Sequence, residues 1–542
     1  MSPRPIYFFP LFLLTALLAL PLLALLASWA GWGEQSLQVL VEMGRTVLPD
    51  YLGTSLMLCL LVAIGVAGIG LSSALAVTLF DFPGRRVFEW ALLLPLAMPA
   101  YVVAYAYTDF LQFSGPLQTS LRAWSGLEGR MFPEVRNLGG AAWVLTFTLY
   151  PYVYLLARTA LVERASQLME AARLLGAPLS RRIWQVALPM ARPAVAAGVA
   201  LTLMETLADF GVVSYFGVQT FSAGIYKAWL VLDSRLVAAQ LATFLIGLVA
   251  CLLWVEQKAQ QRLRFAHVRG AAGAMEARPI ELDGWHRVLA WLVCALPLMM
   301  GFVAPLLFTL RPLWAEDLAV PWARYADWAF NSLRLSLIAA ILAVAAAVLL
   351  AFILRRSQDR VTSVAVELAG LGYAVPGPVI VVGLLLPVGW LQAQWPQGEV
   401  AALLTATSLG LLWAYLVRFS AVALQSVRSA YARLPASMDE SARLLGAGDW
   451  RLLHKVHWPL LRRSVGVAGL LVFVDVMKEL PATLVLRPFN SDTLAVMAYQ
   501  LARDERLGEA TLPSLTLVLV GLVPVILLSR TLRPRDSKPS MK

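Results

Sequence analysis

EAARLLGAPLSRRIWQVALP at Glu170–Pro189 returns, recast, as ESARLLGAGDWRLLHKVHWP at Glu440–Pro459. The copies align without a gap at an offset of 270 residues, Glu170 to Glu440. Each is a polar, arginine-bearing stretch set into an apolar chain. Duplication of a whole unit explains the pair, and each half then presents the same structured loop. A loop kept in this form twice reads as a docking surface for a partner protein rather than as a link.

The surrounding chain has 542 residues, 59% hydrophobic and 14% charged, with a mean hydropathy of +0.71. Soluble domains carry about 25% charge, so this composition belongs to an integral membrane protein. Apolar runs of about 20 residues, long enough to cross a bilayer core, recur throughout. Helices satisfy their own backbone hydrogen bonds in lipid, and no alternating barrel pattern appears. Twelve spans are expected near 6–30, 53–80, 88–110, 139–162, 192–216, 237–257, 286–310, 330–354, 362–390, 399–424, 463–486 and 511–530. The first is read as a retained span rather than a cleaved signal.

An even span number places both termini on one side. With the N-terminus inside, the inner segments collect Arg85, Arg86, Arg181, Arg182, Arg355, Arg356, Arg462, Arg463 and the Arg533–Lys542 tail. The outer loops keep fewer, such as Arg122, Arg130 and Arg136. The positive-inside rule then puts both repeated loops and both termini in the cytoplasm. Nucleic acid is not the implied partner of the +11 charge. Cys59, Cys251 and Cys294 read as inert thiols within spans, and the four histidines have no metal-ligand spacing.

The polar stretch 258–284 divides the spans six and six and reads as a cytoplasmic linker, flexible around Gly270–Gly273. Ser55 matches Ser332, and Met98-Pro99-Ala100 matches Val375-Pro376-Gly377, both at an offset of 277. The fall from 277 to 270 implies a longer loop in the first half, around Gln112–Asn137. The fold expected is all-α, about 12 transmembrane helices in two parallel six-helix repeats. The first half is 1–257 with its loop at 163–190, and the second is 285–542 with its loop at 433–460.

Within each loop, glycine at Gly176 or Gly446 suits a left-handed helix end. Pro178 suits the first turn of a second helix, Asp449 is a candidate N-cap, and Pro189 and Pro459 are expected to stop that helix. The rival reading is an amphipathic hairpin lying on the membrane. The fixed acid and fixed bend in both copies argue against it.

Glu170-Ala171-Ala172, Gly176 and Leu188-Pro189, with Glu440-Ser441-Ala442, Gly446 and Trp458-Pro459, resemble the EAA loop of ABC importer permeases. Ser441 and Trp458 are departures from the motif. The resemblance implies the type I importer permease fold in a bacterial inner membrane. It also implies two ABC ATPase subunits on the cytoplasmic side, docked at Glu170, Ala172, Arg173, Gly176, Pro189, Glu440, Ala442, Arg443, Gly446 and Pro459. ATP and magnesium would sit on that partner, because no G-x-x-x-x-G-K-[ST] loop occurs in this chain. The short outer loops leave delivery of cargo to a periplasmic binding protein, and no cofactor is expected on the chain itself.

After each loop comes a charged span: Glu205 and Asp209 in the first half, Asp475, Lys478 and Glu479 in the second. The acids are four apart, which on one helix shares a face. One reading makes them an acidic lining for a hard cation; the other makes them structural, with Lys478 as ion partner. No metal site is assigned. The phrases LADFGVVSYFGVQTFSAGIYKAW and MKELPATLVLRPFNSDTLAVMAY resemble the fused ferric-iron permeases, which implies iron(III) as cargo. Thiamine, phosphonate or polyamine importers have similar permeases, and an ion-gradient-driven secondary carrier is the rival transport class. No catalytic set is recognisable, so the chain is not expected to be an enzyme.

Overall fold

A computed structural model describes residues 8–31, 34–162, 166–265, 279–315, 321–357 and 359–532. Twelve helices carry the fold: α1 (Phe8–Ala27), α2 (Leu48–Leu79), α3 (Ala100–Leu111), α4 (Leu138–Ala160), α5 (Leu188–Ala208) and α6 (Arg235–Phe265) in the first half. The second half supplies α7 (Trp285–Leu298), α8 (Trp322–Arg356), α9 (Gly377–Gln394), α10 (Ser408–Tyr431), α11 (Trp458–Met477) and α12 (Leu507–Leu532). Shorter helices between them are named by range.

Among the described residues, ten helices are long and apolar enough to cross a membrane. Helix α3 is reached through Arg85–Ala97, and the pair bends by 89°. The bend falls at Met98-Pro99, where Pro99 has no N–H to continue the ladder and holds φ at −59°. Val375-Pro376 does the same before α9, with φ −57° at Pro376. Helix α11 is not among the ten, and it carries Arg462, Arg463 and Asp475.

The repeat is retained at 270 and 277 residues, but it does not define the packing units. One compact unit comprises Met1–Leu48, Phe221–Ile246 and Val320–Gln500. The other comprises Pro49–Thr220, Gly247–Ala319 and Leu501–Lys542. Each unit is thus built on spans 2–5 of one half and takes its remaining helices from elsewhere in the chain. In the first unit α1 lies so close to α9 that a Cβ on Gly383 would stand 2.3 Å from the Pro21 carbonyl oxygen. Trp413 on α10 donates to the Leu17 carbonyl at 2.7 Å. In the second unit, Gly70 on α2 and Gly198 on α5 both abut Val153 of α4, the small-residue packing that lets helices approach without a hydrophobic drive.

The linker is in part a fixed element. Phe80-Asp81, after α2, pairs in parallel with Ile280-Glu281, and Leu282 N–H donates to the Asp81 carbonyl at 3.2 Å. Its end is therefore strapped to the first half before α7 begins. The stretch Gly270–Gly273, expected to be flexible, lies outside the described residues, as do 163–165 of the first loop and the basic tail.

Candidate functional site

Both loops fold alike. Helix Ser166–Leu174 corresponds to Ala436–Leu444 at the 270 offset. Gly176 and Gly446 each adopt φ +78°. In the first copy Gly176 N–H bonds Arg173 carbonyl at 2.9 Å and Ala177 N–H bonds Ala172 carbonyl at 3.0 Å; in the second, Gly446 bonds Arg443 at 2.8 Å and Ala447 bonds Ala442 at 3.0 Å. This is the Schellman closure, which satisfies carbonyls that the helix end would leave orphaned. Ala172 and Arg173, with Ala442 and Arg443, are therefore the acceptors that fix the bend.

Three local expectations are corrected. Pro189 and Pro459 do not stop the second arm. It runs through a π-helical segment, Ile183–Ala187 or Leu452–His457, directly into α5 or α11. The wider π turn gives the proline ring room and shifts the carbonyl that would have needed its missing N–H. Pro178 precedes the helix rather than opening its first turn, and Gly448, not Asp449, occupies the N-cap position.

What the loops present is apolar. Leu174 and Leu175 are 82% and 88% exposed, Leu444 and Leu445 both 88%, and Trp184 and Trp450 are also bare. Exposed apolar clusters of this kind commonly mark protein–protein or membrane contact surfaces. Glu170 stands beside Arg173 at 3.6 Å, a half-exposed pair, and Glu440 is exposed. Below the tips the residues reverse character, with Met169 and Asp439 both buried.

The intramembrane acids form two kinds of site. Helix α5 ends at Ala208 and α11 at Met477, so Asp209 and Glu479 leave the helices that carry Glu205 and Asp475. The expectation that each pair shares one helix face therefore fails. Asp209 Oδ1 instead accepts the amides of Val212 at 3.0 Å and Val213 at 3.2 Å. Glu479 accepts Ala482 N–H at 2.8 Å, Thr483 N–H at 3.0 Å and the Thr483 hydroxyl. Each carboxylate caps the short helix that resumes after the break, Gly211–Tyr215 or Pro481–Leu486, where no water is present to take up the free amides. Glu479 also pairs with Arg418 at 3.2 Å with its side chain only 1% exposed. At the equivalent first-half position stands Thr148.

Glu205 and Asp475 occupy matching half-buried positions, and Lys478 feels the charge of Asp475. Glu205 and Asp209 belong to one compact unit; Asp475, Lys478 and Glu479 belong to the other. Among the described residues no three of His, Cys, Asp and Glu gather as a metal site. Cys59 and Cys294 are buried, whereas Cys251 lies on the exposed side of α6.

A second polar site went unnoticed in the sequence. Arg355, at the end of α8, bonds Asp439 at 2.7 and 3.1 Å. His457 Nε2 lies 3.0 Å from the same carboxylate, and its Nδ1 lies 3.2 Å from the Tyr431 hydroxyl. Burial alone would raise the Asp439 carboxyl, but the bonds from Arg355 and His457 outweigh it and hold it below the usual range. Nothing in the sequence around Asp439 pointed to Arg355, 84 residues away.

Residues 66–265 match the family described as binding-protein-dependent transport system inner membrane component, a region that contains the whole first loop. The chain is similar to the Fe(3+)-transport system permease protein FbpB 2 of Haemophilus influenzae, 25% identical over 488 residues and 90% of each chain. It is also similar to a probable ABC transporter permease protein, y4fN, of Sinorhizobium fredii, 26% identical over 86% of this chain and 84% of that one. A sulfate transport system permease protein, CysW of Escherichia coli, is 30% identical over 36% of this chain and 66% of its own. Residues 66–265 thus carry a binding-protein-dependent transport system inner membrane component domain, the loop recurs in the second half, and the whole chain is similar to double-length ABC importer permeases, a ferric-iron one among them.

Proposed function

We propose that this chain is the membrane-spanning subunit of an ATP-driven importer for iron(III), moving cargo handed over by a periplasmic binding protein through alternating access. Two copies of an ABC ATPase would sit in the cytoplasm, one under each loop, with ATP and magnesium on the ATPase. Both termini and the 258–284 linker would share that side. The carrying observation is the loop pair: two left-handed glycine bends at one offset, each lifting a bare leucine pair and a tryptophan toward a partner. Iron(III) is favoured because the Fe(3+) relative aligns over 90% of both chains. The sulfate relatives align over 24–36% of this chain and a putative 2-aminoethylphosphonate relative over 34%.

Glu205 and Asp475 are the acids that remain candidates for the cargo path, since Asp209 and Glu479 are committed to helix caps. Uptake measured in proteoliposomes with the ATPase and the binding protein tests the whole reading. Iron(III) uptake that needs ATP and the loaded binding protein is expected. Uptake that survives without ATP would favour a gradient-driven carrier. A binding protein that retains sulfate or a phosphonate and not iron(III) would replace the cargo while leaving the ATPase docking intact.

A further inference from the structure

The two loops share a shape but not a fastening. Arg355 has five N–H donors and all are spent. Nε and Nη2 hold the two Asp439 oxygens, Nη1 holds the carbonyls of Tyr431 and Leu434 at 3.1 Å each, and Nη2 also holds the Pro435 carbonyl at 3.1 Å. These acceptors run from the end of α10 into Ala436–Leu444, so one guanidinium ties α8, α10 and the first arm together. The next residue, Arg356, reaches Asp449 at the head of the second arm at 2.7 Å. Consecutive residues of one helix therefore grip both arms of the second loop.

Among the described residues the first half shows no counterpart. At the matching positions stand Thr78 and Leu79 for the arginines, Met169 and Leu179 for the aspartates, Leu161 for Tyr431 and Ala187 for His457. None can form an ion pair, and the buried Thr78 hydroxyl has no hydrogen-bond partner. The first arm there is seated by apolar burial at Met169 and Ala187, which is non-directional. Helix α8 is also held at its far end, where Asn331 donates to the Asp492 carbonyl at 3.2 Å and Leu494 N–H donates to Ser332 Oγ at 2.8 Å. From Ser332 to Arg355 the helix runs about 35 Å at 1.5 Å per residue.

We propose that Arg355 and Arg356 are positioning residues that make the second loop and α8 move as one body, carrying a push at the cytoplasmic face to the Asp492–Leu494 segment. The first loop pivots more freely on its apolar seat. The two loops are then unequal levers, the second being the stiff one. The consequence for transport rests on the reading of the loops as ATPase contacts; the stiffness itself does not.

The test gives the second half the residues of the first, Arg355→Thr with Arg356→Leu, in the full chain in lipid nanodiscs. Amide exchange over Ala436–Leu444 is expected to accelerate at least tenfold, with no change over Ser166–Leu174. Unchanged exchange in the second loop overturns the clamp. Reconstituted with the ATPase, the variant should retain ATP hydrolysis while transport per ATP falls at least fivefold. Faster exchange with normal transport per ATP makes the clamp structural only and overturns the lever claim. If wild type fails to bind the ATPase, the docking reading falls, and the exchange result still decides the clamp. Arg356→Asp alone disturbs less of the network, and pairing it with Asp449→Arg should restore wild-type exchange.

Discussion

Replacing Gly446 isolates the bend on which coupling depends. A Cβ at this position meets nothing within 4 Å, so Gly446→Ala creates no clash. The whole penalty is conformational: φ is +78°, and an L-residue held in the left-handed region costs about 1–2 kcal/mol. At about 1.4 kcal/mol per tenfold, that multiplies the open population of the loop by roughly 5- to 30-fold. Gly446→Pro is far harsher, since proline fixes φ near −65° and deletes the N–H that bonds Arg443 at 2.8 Å. The assay is amide exchange over Ala436–Leu444, beside co-purification of the ATPase. Alanine should accelerate exchange within that range and weaken retention of the ATPase, and proline should abolish retention while the protein still inserts. Exchange for alanine equal to wild type would refute the left-handed bend. Normal ATPase retention by the proline variant would refute the loop as the docking element.

The other expectations are more local. Glu479→Ala leaves Arg418 buried without its partner and uncaps Pro481–Leu486, a loss of about 3–5 kcal/mol, so the melting temperature in detergent should fall sharply. Asp439 is held below its ordinary range, so its contribution is complete above the unfolded-state value near 4 and is lost only as pH falls through the lower folded value. The melting-temperature gap between wild type and Asp439→Asn should therefore stay constant from pH 8 to about 5 and close only at more acidic pH; a gap that closes between pH 7 and 6 would contradict this. Gly383→Val should force α1 away from α9, because a Cβ there would already stand 2.3 Å from the Pro21 carbonyl, and crosslinking of cysteines placed across that contact reads the displacement.

The features legible in the sequence are those set by local chemistry. Glycine at Gly176 and Gly446, apolar runs of bilayer length and the prolines at Pro99 and Pro376 each act through the backbone within a turn, so their effects fall where the residues stand. Proline misled at Pro189 and Pro459, because the π turn just before each depends on a backbone count that composition does not express. Long-range pairing was not legible either. Arg355 looks like one more positive-inside residue until the fold brings Asp439 to it, and nothing in the order of spans tells which half α1 will pack against.

The acids show why such features mislead in a definite direction. Two carboxylates four residues apart on an apolar helix imply one charged face only if the helix continues. Here the break follows at once, at Asp209 and after Met477, and a break inside a membrane exposes first-turn amides that no water satisfies. A carboxylate at the break answers that need directly, accepting the amides three and four residues ahead in both halves. Its charge is then stabilised by the start of the short helix, and in the second half also by Arg418. The same reasoning separates Glu205 and Asp475: they sit within unbroken helix, where every nearby amide is already bonded, so no capping role explains them. If charge in these spans serves the cargo, it is at this pair that neutral substitutions should cut uptake per folded molecule, whatever stability Asp475 gives through its neighbour Lys478. The opposite pattern, lost stability with uptake per folded molecule intact, would assign all four acids to the scaffold.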